Sequence, residues 1–252
     1  GLRKCLECAA HHYGGTKGSV TYFGNLAMSA WERRAVDLFL PVSKAVAEGN
    51  RLDEAGLPYQ VIVEPKDGKI PFQPWAAEKR REHLASLHTP TELQHIEPED
   101  RCALEGVPRS QLRGAMQIQQ IPGHVMIQYE WIHAYRVIPL DGRPHPPKEL
   151  TLWQGDSRGR WEGNTLVVDV TNFRHDPVGY NKQPWLDSHG TFYSDALHVV
   201  ERWTFANANT INYEATITDP KVFTRPWKTA FAYVRNQEKG FEFIEQACYE
   251  DN

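Results

Sequence analysis

Apolar and polar residues alternate with period two through most of the second half of the chain, and largely fail to do so in the first half. HVMIQYEWIHAYRVIPL (124–140), NTLVVDVTNF (164–173), ALHVVERWTF (196–205), NTINYEATIT (209–218), WKTAFAYVRN (227–236) and FEFIEQACYE (241–250) each read as strands. Alternating β-branched and aromatic residues fit a half-buried pleated surface. Asp141-Gly142 supplies a turn after the first of these, and residues 206–209 supply another between the third and fourth. At least six strands with short turns predict an antiparallel sheet, either a lipocalin-like or calycin-like barrel or a curled sheet.

The first 115 residues read as helix and loop. SAWERRAVDLFLPVSKAVAE (29–48) has helix-forming composition, with Pro41 expected to kink or split it. YQVIVE (59–64) is a short strand followed by a Pro/Gly turn. PWAAEKRREHLASL (74–87) predicts a helix with Pro74 in its first turn. Residues 88–108 read as a polar connector. The expected organisation is a helical N-terminal region (1–115) packed on a β region (116–252), together forming one structural domain.

Composition narrows the partners. The 252 residues carry 40% hydrophobic and 24% charged side chains, an ordinary globular balance. A net charge of −4, with the basic residues scattered, offers no stripe for phosphate, so nucleic acid is not expected. No apolar run reaches the roughly 18 residues of a spanning helix. Eight Trp, ten Tyr and ten Phe suit either a β-rich core or the lining of a site for an apolar or aromatic small molecule. The chain starts at Gly1, which fits a removed secretory leader or a chosen boundary. Four cysteines (Cys5, Cys8, Cys102 and Cys248) form an even count, and Cys102–Cys248 is one of the pairings open to an exported chain.

Alternation also sorts the chemistry by face. If 125–137 is one strand, Val125, Ile127, Tyr129, Trp131, His133, Tyr135 and Val137 share its aromatic face. Leu197, Val199, Glu201, Trp203 and Phe205 share another, which places the Glu201 carboxylate among large apolar neighbours. Such a carboxylate must be paired, hydrogen-bonded or protonated. An ion pair with Arg136, Arg158 or Arg160 is one expectation, and a proton-exchanging carboxylate is the other. Asp169 shares a face with Val167, Thr171 and Phe173; it joins Glu201 if that face lines a cavity and is a surface acid if it meets solvent. The long segment 174–195 carries Tyr180, Trp185, Asp187 and His189 and is expected to be either a lid or binding loop or a well-packed structural loop.

Signatures of other chemistries are weak or missing. Cys5-x-x-Cys8 followed by His11 and His12 lacks a second ligand pair, and His133, His189 and His198 have no metal-site spacing. No metal and no cofactor are therefore expected. There is no G-x-S-x-G elbow and no Gly-rich loop leading into a helix, which argues against hydride transfer and kinase-like chemistry. In GDSRGRWEGNTLVVDVTNF (155–173), the glycines read as turn and close-approach positions, and Asp156, Arg158, Arg160 and Glu162 as a local ion-pair cluster. The expected structure is a corner feeding a strand.

Several segments carry a resemblance: DGKIPFQPWA (67–76), RCALEGVPR (101–109), IPLDGRPH (138–145), GDSRGRWEGNTLVV (155–168), ALHVVERW (196–203), DPKVFTRPW (219–227) and QACYEDN (246–252). In this order they resemble a large family of uncharacterised exported bacterial proteins carrying a GDSRGRWEGNTLVV-type segment. The resemblance implies export, to the periplasm or the medium, and supports the Cys102–Cys248 bridge because both residues lie in matching segments. It implies no reaction, and the first sixty residues lie outside it.

The function expected from the residues is a cofactor-independent lyase, dehydratase or isomerase acting on an apolar or aromatic small molecule inside a β cavity. His133 and Glu201 would be acid and base, with Arg160 stabilising developing negative charge. Tyr129, Trp131, Tyr135, Arg158, Asp169, Tyr180, Trp185, His189 and Trp203 would contact substrate. The alternatives are an exported carrier of an apolar ligand and, third, a metal-dependent hydrolase or oxidase. The oligomeric state is left open.

Overall fold

The computed structural model describes the backbone of residues 36–42, and residues 62–86, 89–92, 95–96, 98, 103–112, 115–132, 134–175, 184–187 and 189–243. Ten strands form one antiparallel sheet: β1 (Val36–Val42), β2 (Ile62–Glu64), β3 (Met116–Ile121), β4 (His124–Tyr129), β5 (Tyr135–Pro139), β6 (Asp156–Glu162), β7 (Thr165–Thr171), β8 (His198–Asn207), β9 (Thr210–Thr218) and β10 (Trp227–Arg235). Their spatial order is β5-β4-β3-β1-β10-β9-β8-β7-β6, with β2 paired to β10 beside this path. Among the described residues the α-helix is α1 (Pro74–Ser86), which starts at the expected proline, and a 3-10 turn spans Arg109–Leu112.

The strand pattern explains the core. Alternate residues of β8, β9 and β10 are buried, and cross-strand register aligns them in rows. Trp203 faces Tyr213, which faces Phe231, while Glu201 faces Ala215, which faces Thr229. Trp203 stacks on Tyr233 at 5.4 Å between ring centroids and meets Tyr213 edge-on at 4.7 Å. Interlocked aromatic pairs of this kind add about 0.5–1.5 kcal/mol each beyond area burial.

The two strands at the ends of the order, β5 and β6, approach each other. A Cβ on Gly159 would lie 2.7 Å from Ile138 Cγ2 and 2.8 Å from Leu140 Cδ2, so the seam fits only a glycine there. Arg136 Nε donates across it to Ser157 Oγ at 2.8 Å. No backbone ladder joins β5 to β6 among the described residues. The sheet is therefore curled upon itself and not closed into a barrel.

Four expectations change. The helix expected over 29–48 gives way to β1, which pairs with β3 over Val36–Phe39 and with β10 over Phe39–Val42. Pro41 sits where β10 is its only described neighbour, a position that tolerates the missing N–H better than a helix interior does. The single strand expected over 124–140 is a hairpin, β4 and β5, reversed at 130–134 with Ile132 at a left-handed φ of 53°. That reversal changes the parity: Val125, Ile127 and Tyr129 point inward from β4, but Arg136 and Ile138 do so from β5. The corner expected at 155–163 is itself a strand, β6, paired with β7 through Glu162↔Thr165. Finally, 241–243 is not a strand, and the rest of the segment expected to pair there lies outside the described residues.

Candidate functional site

Two clusters of titratable side chains lie on opposite faces of the same strands. The inner one is centred on Glu201, which has no exposed surface. Gly159, Val168, Ala215 and Thr229 surround it in register, and these small side chains leave room for partners. Arg136 Nη2 forms an ion pair with Glu201 Oε2. Tyr213 donates its hydroxyl to Oε1 at 2.9 Å, and Gln111 Nε2 approaches the same oxygen at 3.5 Å while donating to the Tyr129 hydroxyl at 2.8 Å. Tyr233 donates to the Gln111 carbonyl at 2.8 Å. Burial disfavours charge on Arg136, but the adjacent Glu201 carboxylate more than offsets it and raises the guanidinium above its ordinary value. Burial pushes the phenols of Tyr129, Tyr213 and Tyr233 up, so all three stay neutral, Tyr213 and Tyr233 as donors and Tyr129 as the acceptor from Gln111. A buried pair of this kind holds a charge in place only through such added hydrogen bonds.

Beside this cluster, Leu104, Glu105, Ser110, Tyr129, Trp131, Ile132 and Ala134 line a small pocket. Its enclosed part has room for about one water molecule. Glu105 pairs with Arg109 Nε at 2.5 Å, and Arg109 Nη1 donates to the Asp187 carbonyl at 2.7 Å, anchoring segment 184–191.

The outer cluster is a chain of alternating carboxylates and imidazoles. Arg158 Nη2 lies 2.9 Å from Asp156 Oδ1. Asp156 Oδ2 is 2.6 Å from His145 Nδ1, and His145 Nε2 is 2.9 Å from Asp169 Oδ1. Asp169 also receives His198 Nε2, at 3.2 Å to Oδ1 and 3.1 Å to Oδ2. Three strands supply it: β6 gives Asp156 and Arg158, β7 gives Asp169 and β8 gives His198, while His145 comes from the segment after β5. The side chains are partly open, from 11% exposed at Asp156 to 41% at His198. His145 thus presents both ring nitrogens to carboxylates, Nδ1 to Asp156 and Nε2 to Asp169. The contacts of His198 with Asp169 are made by Nε2 alone. Among the described residues no three His, Cys, Asp or Glu side chains are arranged to hold a metal ion.

The expected site residues scatter across these places. Glu201 is the buried half of an ion pair, and Arg136 is its partner among the three arginines considered. Arg160 is exposed on the opposite face, bound to Glu162, and does not meet Glu201. Tyr129, Trp131 and Trp203 lie on the inner side, whereas the parity change leaves Tyr135 67% exposed. Asp169 faces away from Glu201 but is held by two imidazoles, so it is no solitary surface acid. Trp185 is buried and stacks on His83 at 5.5 Å, and His189 is buried with its backbone N–H donated to Asp187 Oδ1. His133, Tyr180, His11, His12 and all four cysteines lie outside the described residues. His145 was missed because it stands in a proline-rich segment with no period; its signal was Asp-Gly-Arg-Pro-His, a histidine set just after a turn.

No family model, no curated protein and no solved structure matches the chain.

Proposed function

We propose that the protein is a cofactor-independent acid–base enzyme of the lyase or isomerase class, acting on a small molecule at the outer cluster. The observation that carries this reading is the unbroken alternation Asp156–His145–Asp169–His198, four groups joined at 2.6–3.2 Å and open to solvent at the His198 end. Asp169 orients His198 and fixes the proton on Nε2, which leaves Nδ1 unprotonated and ready to take a proton. His145, held between two carboxylates, holds Asp169 in place. Arg158 supplies positive charge beside the site for an enolate or similar anion. The removed proton returns to a neighbouring carbon in an isomerase, or stays on His198 while a leaving group departs in a lyase.

Three of the segments that carry the family resemblance, 138–145, 155–168 and 196–203, bring His145, Asp156, Arg158 and His198 to this one place. The resemblance also underlies our proposals of export and of a Cys102–Cys248 bridge. A lipocalin-like relationship belongs here too, supported by a curled antiparallel sheet whose end strands nearly meet.

A screen for carbon–hydrogen exchange tests the reading without a known substrate. A panel of small carbonyl compounds is incubated with the protein in deuterium oxide and followed by proton NMR. Exchange α to a carbonyl is expected, falling about 10²–10⁴-fold in His198→Ala and Asp169→Asn. Equal exchange by His198→Ala and wild type refutes it.

A further inference from the structure

His145 sits in an unusual piece of backbone. Arg-Pro-His-Pro-Pro (143–147) has proline on both sides of the histidine, so Pro144, Pro146 and Pro147 offer no N–H to hold the segment down. Its free polar groups are carbonyls, and carbonyls need a donor from elsewhere. Asn172, just past the end of β7, provides it. Its side-chain amide nitrogen lies 3.3 Å from the Pro146 carbonyl, 2.9 Å from that of Pro147 and 3.0 Å from that of Leu150. Its side-chain oxygen accepts the Thr171 hydroxyl at 2.8 Å, which fixes the orientation of the amide.

The backbone of Asn172 is committed to the same task. Its φ is 56°, in the left-handed region that asparagine tolerates better than most residues. Its carbonyl accepts from Leu152 N at 2.9 Å, closing the far end of the same segment. One residue thus holds the loop at four carbonyl and amide groups between 146 and 152, and the histidine it carries reaches Asp156 and Asp169.

We infer that Asn172 is the positioning residue for His145: it sets the imidazole between the two carboxylates and so sets the geometry of the His198–Asp169 pair. The inference rests on the proposed function for its catalytic meaning, but the placement of His145 is testable by itself. Asn172→Asp keeps shape and left-handed tolerance while replacing the donor by an acceptor facing three carbonyls. Asn172→Gly keeps the backbone freedom and removes the donor altogether.

The test is NMR of the full chain labelled with nitrogen-15 in histidine, at a temperature where circular dichroism shows each variant folded. Wild type is expected to show a low-field ring N–H for His145, identified by its loss in His145→Gln. Both Asn172 variants are expected to lose that resonance while keeping the N–H of His198. Retention of the His145 resonance in either folded variant overturns the inference, as does its absence from wild type. A merely structural asparagine would lower the melting temperature and leave the resonance in the folded state. Exchange activity surviving His198→Ala would sink the proposed function and leave the NMR outcome standing, so the two failures are distinct.

Discussion

Removing the guanidinium of Arg136 puts the inner cluster to its most direct test. In Arg136→Met the Glu201 carboxylate, with no exposed surface, keeps Tyr213 at 2.9 Å and Gln111 at 3.5 Å and loses its only described charged partner. Breaking a buried pair by deleting one member costs about 3–5 kcal/mol, because the remaining charge is stranded. For a chain of this size each kcal/mol moves the midpoint by about 2–4 °C, so the melting temperature should fall by about 6–20 °C. Guanidinium denaturation followed by circular dichroism should show a lower midpoint with an unchanged slope.

The double variant Arg136→Met/Glu201→Leu removes both charges. It should recover much of the loss, because burying neither charge avoids the desolvation cost, although Tyr213 and Gln111 then lack their acceptor. The double-mutant cycle should return a coupling of at least about 2 kcal/mol. If Arg136→Met lies within about 1 kcal/mol of wild type, or if the two substitutions add, Glu201 is not held as a charged partner of Arg136.

Three further outcomes follow from the same geometry. Gly159→Ala forces a Cβ against Ile138 and Leu140 and should cost about 1–3 kcal/mol by denaturant titration; a neutral result means that β5 and β6 do not meet there. Arg109→Met removes the Arg109–Glu105 pair and the hydrogen bond to the Asp187 carbonyl, so stability should fall by about 1–3 kcal/mol and limited proteolysis should begin within 184–191. Burial raises Tyr129, Tyr193, Tyr213 and Tyr233 above their usual value of 10.0, so the folded state retains protons that the unfolded chain gives up. Their contribution is full below about pH 10 and is lost as pH rises further, so in an alkaline titration the last part of the tyrosinate absorbance, from these four, should appear together with unfolding. Ionisation of all ten tyrosines before unfolding would contradict this.

Much of the inner face was legible because a strand's period is two. Glu201 among Val199 and Trp203 is visible in HVVERW, and a carboxylate there requires a partner. The choice of Arg136 was not legible, because it depends on the parity of β5, and that parity is set by a reversal at Ile132. No Gly, Pro, Asn or Asp marks the reversal, and a β-branched residue with positive φ is among the least expected ways to make one. The β1 strand was hidden for a related reason. Its flanks have helix-forming composition, and tertiary pairing with β3 and β10 overrides a weak local preference.

The outer cluster is assembled from β6, β7, β8 and the segment after β5, and it differs from the inner one in access to water. Val168 lies opposite Glu201, and Asp169 is the next residue along β7. A single step in sequence therefore separates a carboxylate neighbourhood closed to water from one open to it. The Glu201 carboxylate has no exposed surface, and a substrate reaching it would have to displace Tyr213, Gln111 or Arg136. The outer chain faces no such barrier. His198 is 41% exposed and already oriented, so in the proposed reading it exchanges a proton with an incoming molecule without disturbing the core. Since register ties both clusters to β6, β7 and β8, disrupting the inner pair should perturb the outer one through strand geometry. Substitutions confined to His198 or Asp169 should leave the core and its melting temperature nearly unchanged. That asymmetry separates residues that hold the sheet from residues that act on its surface.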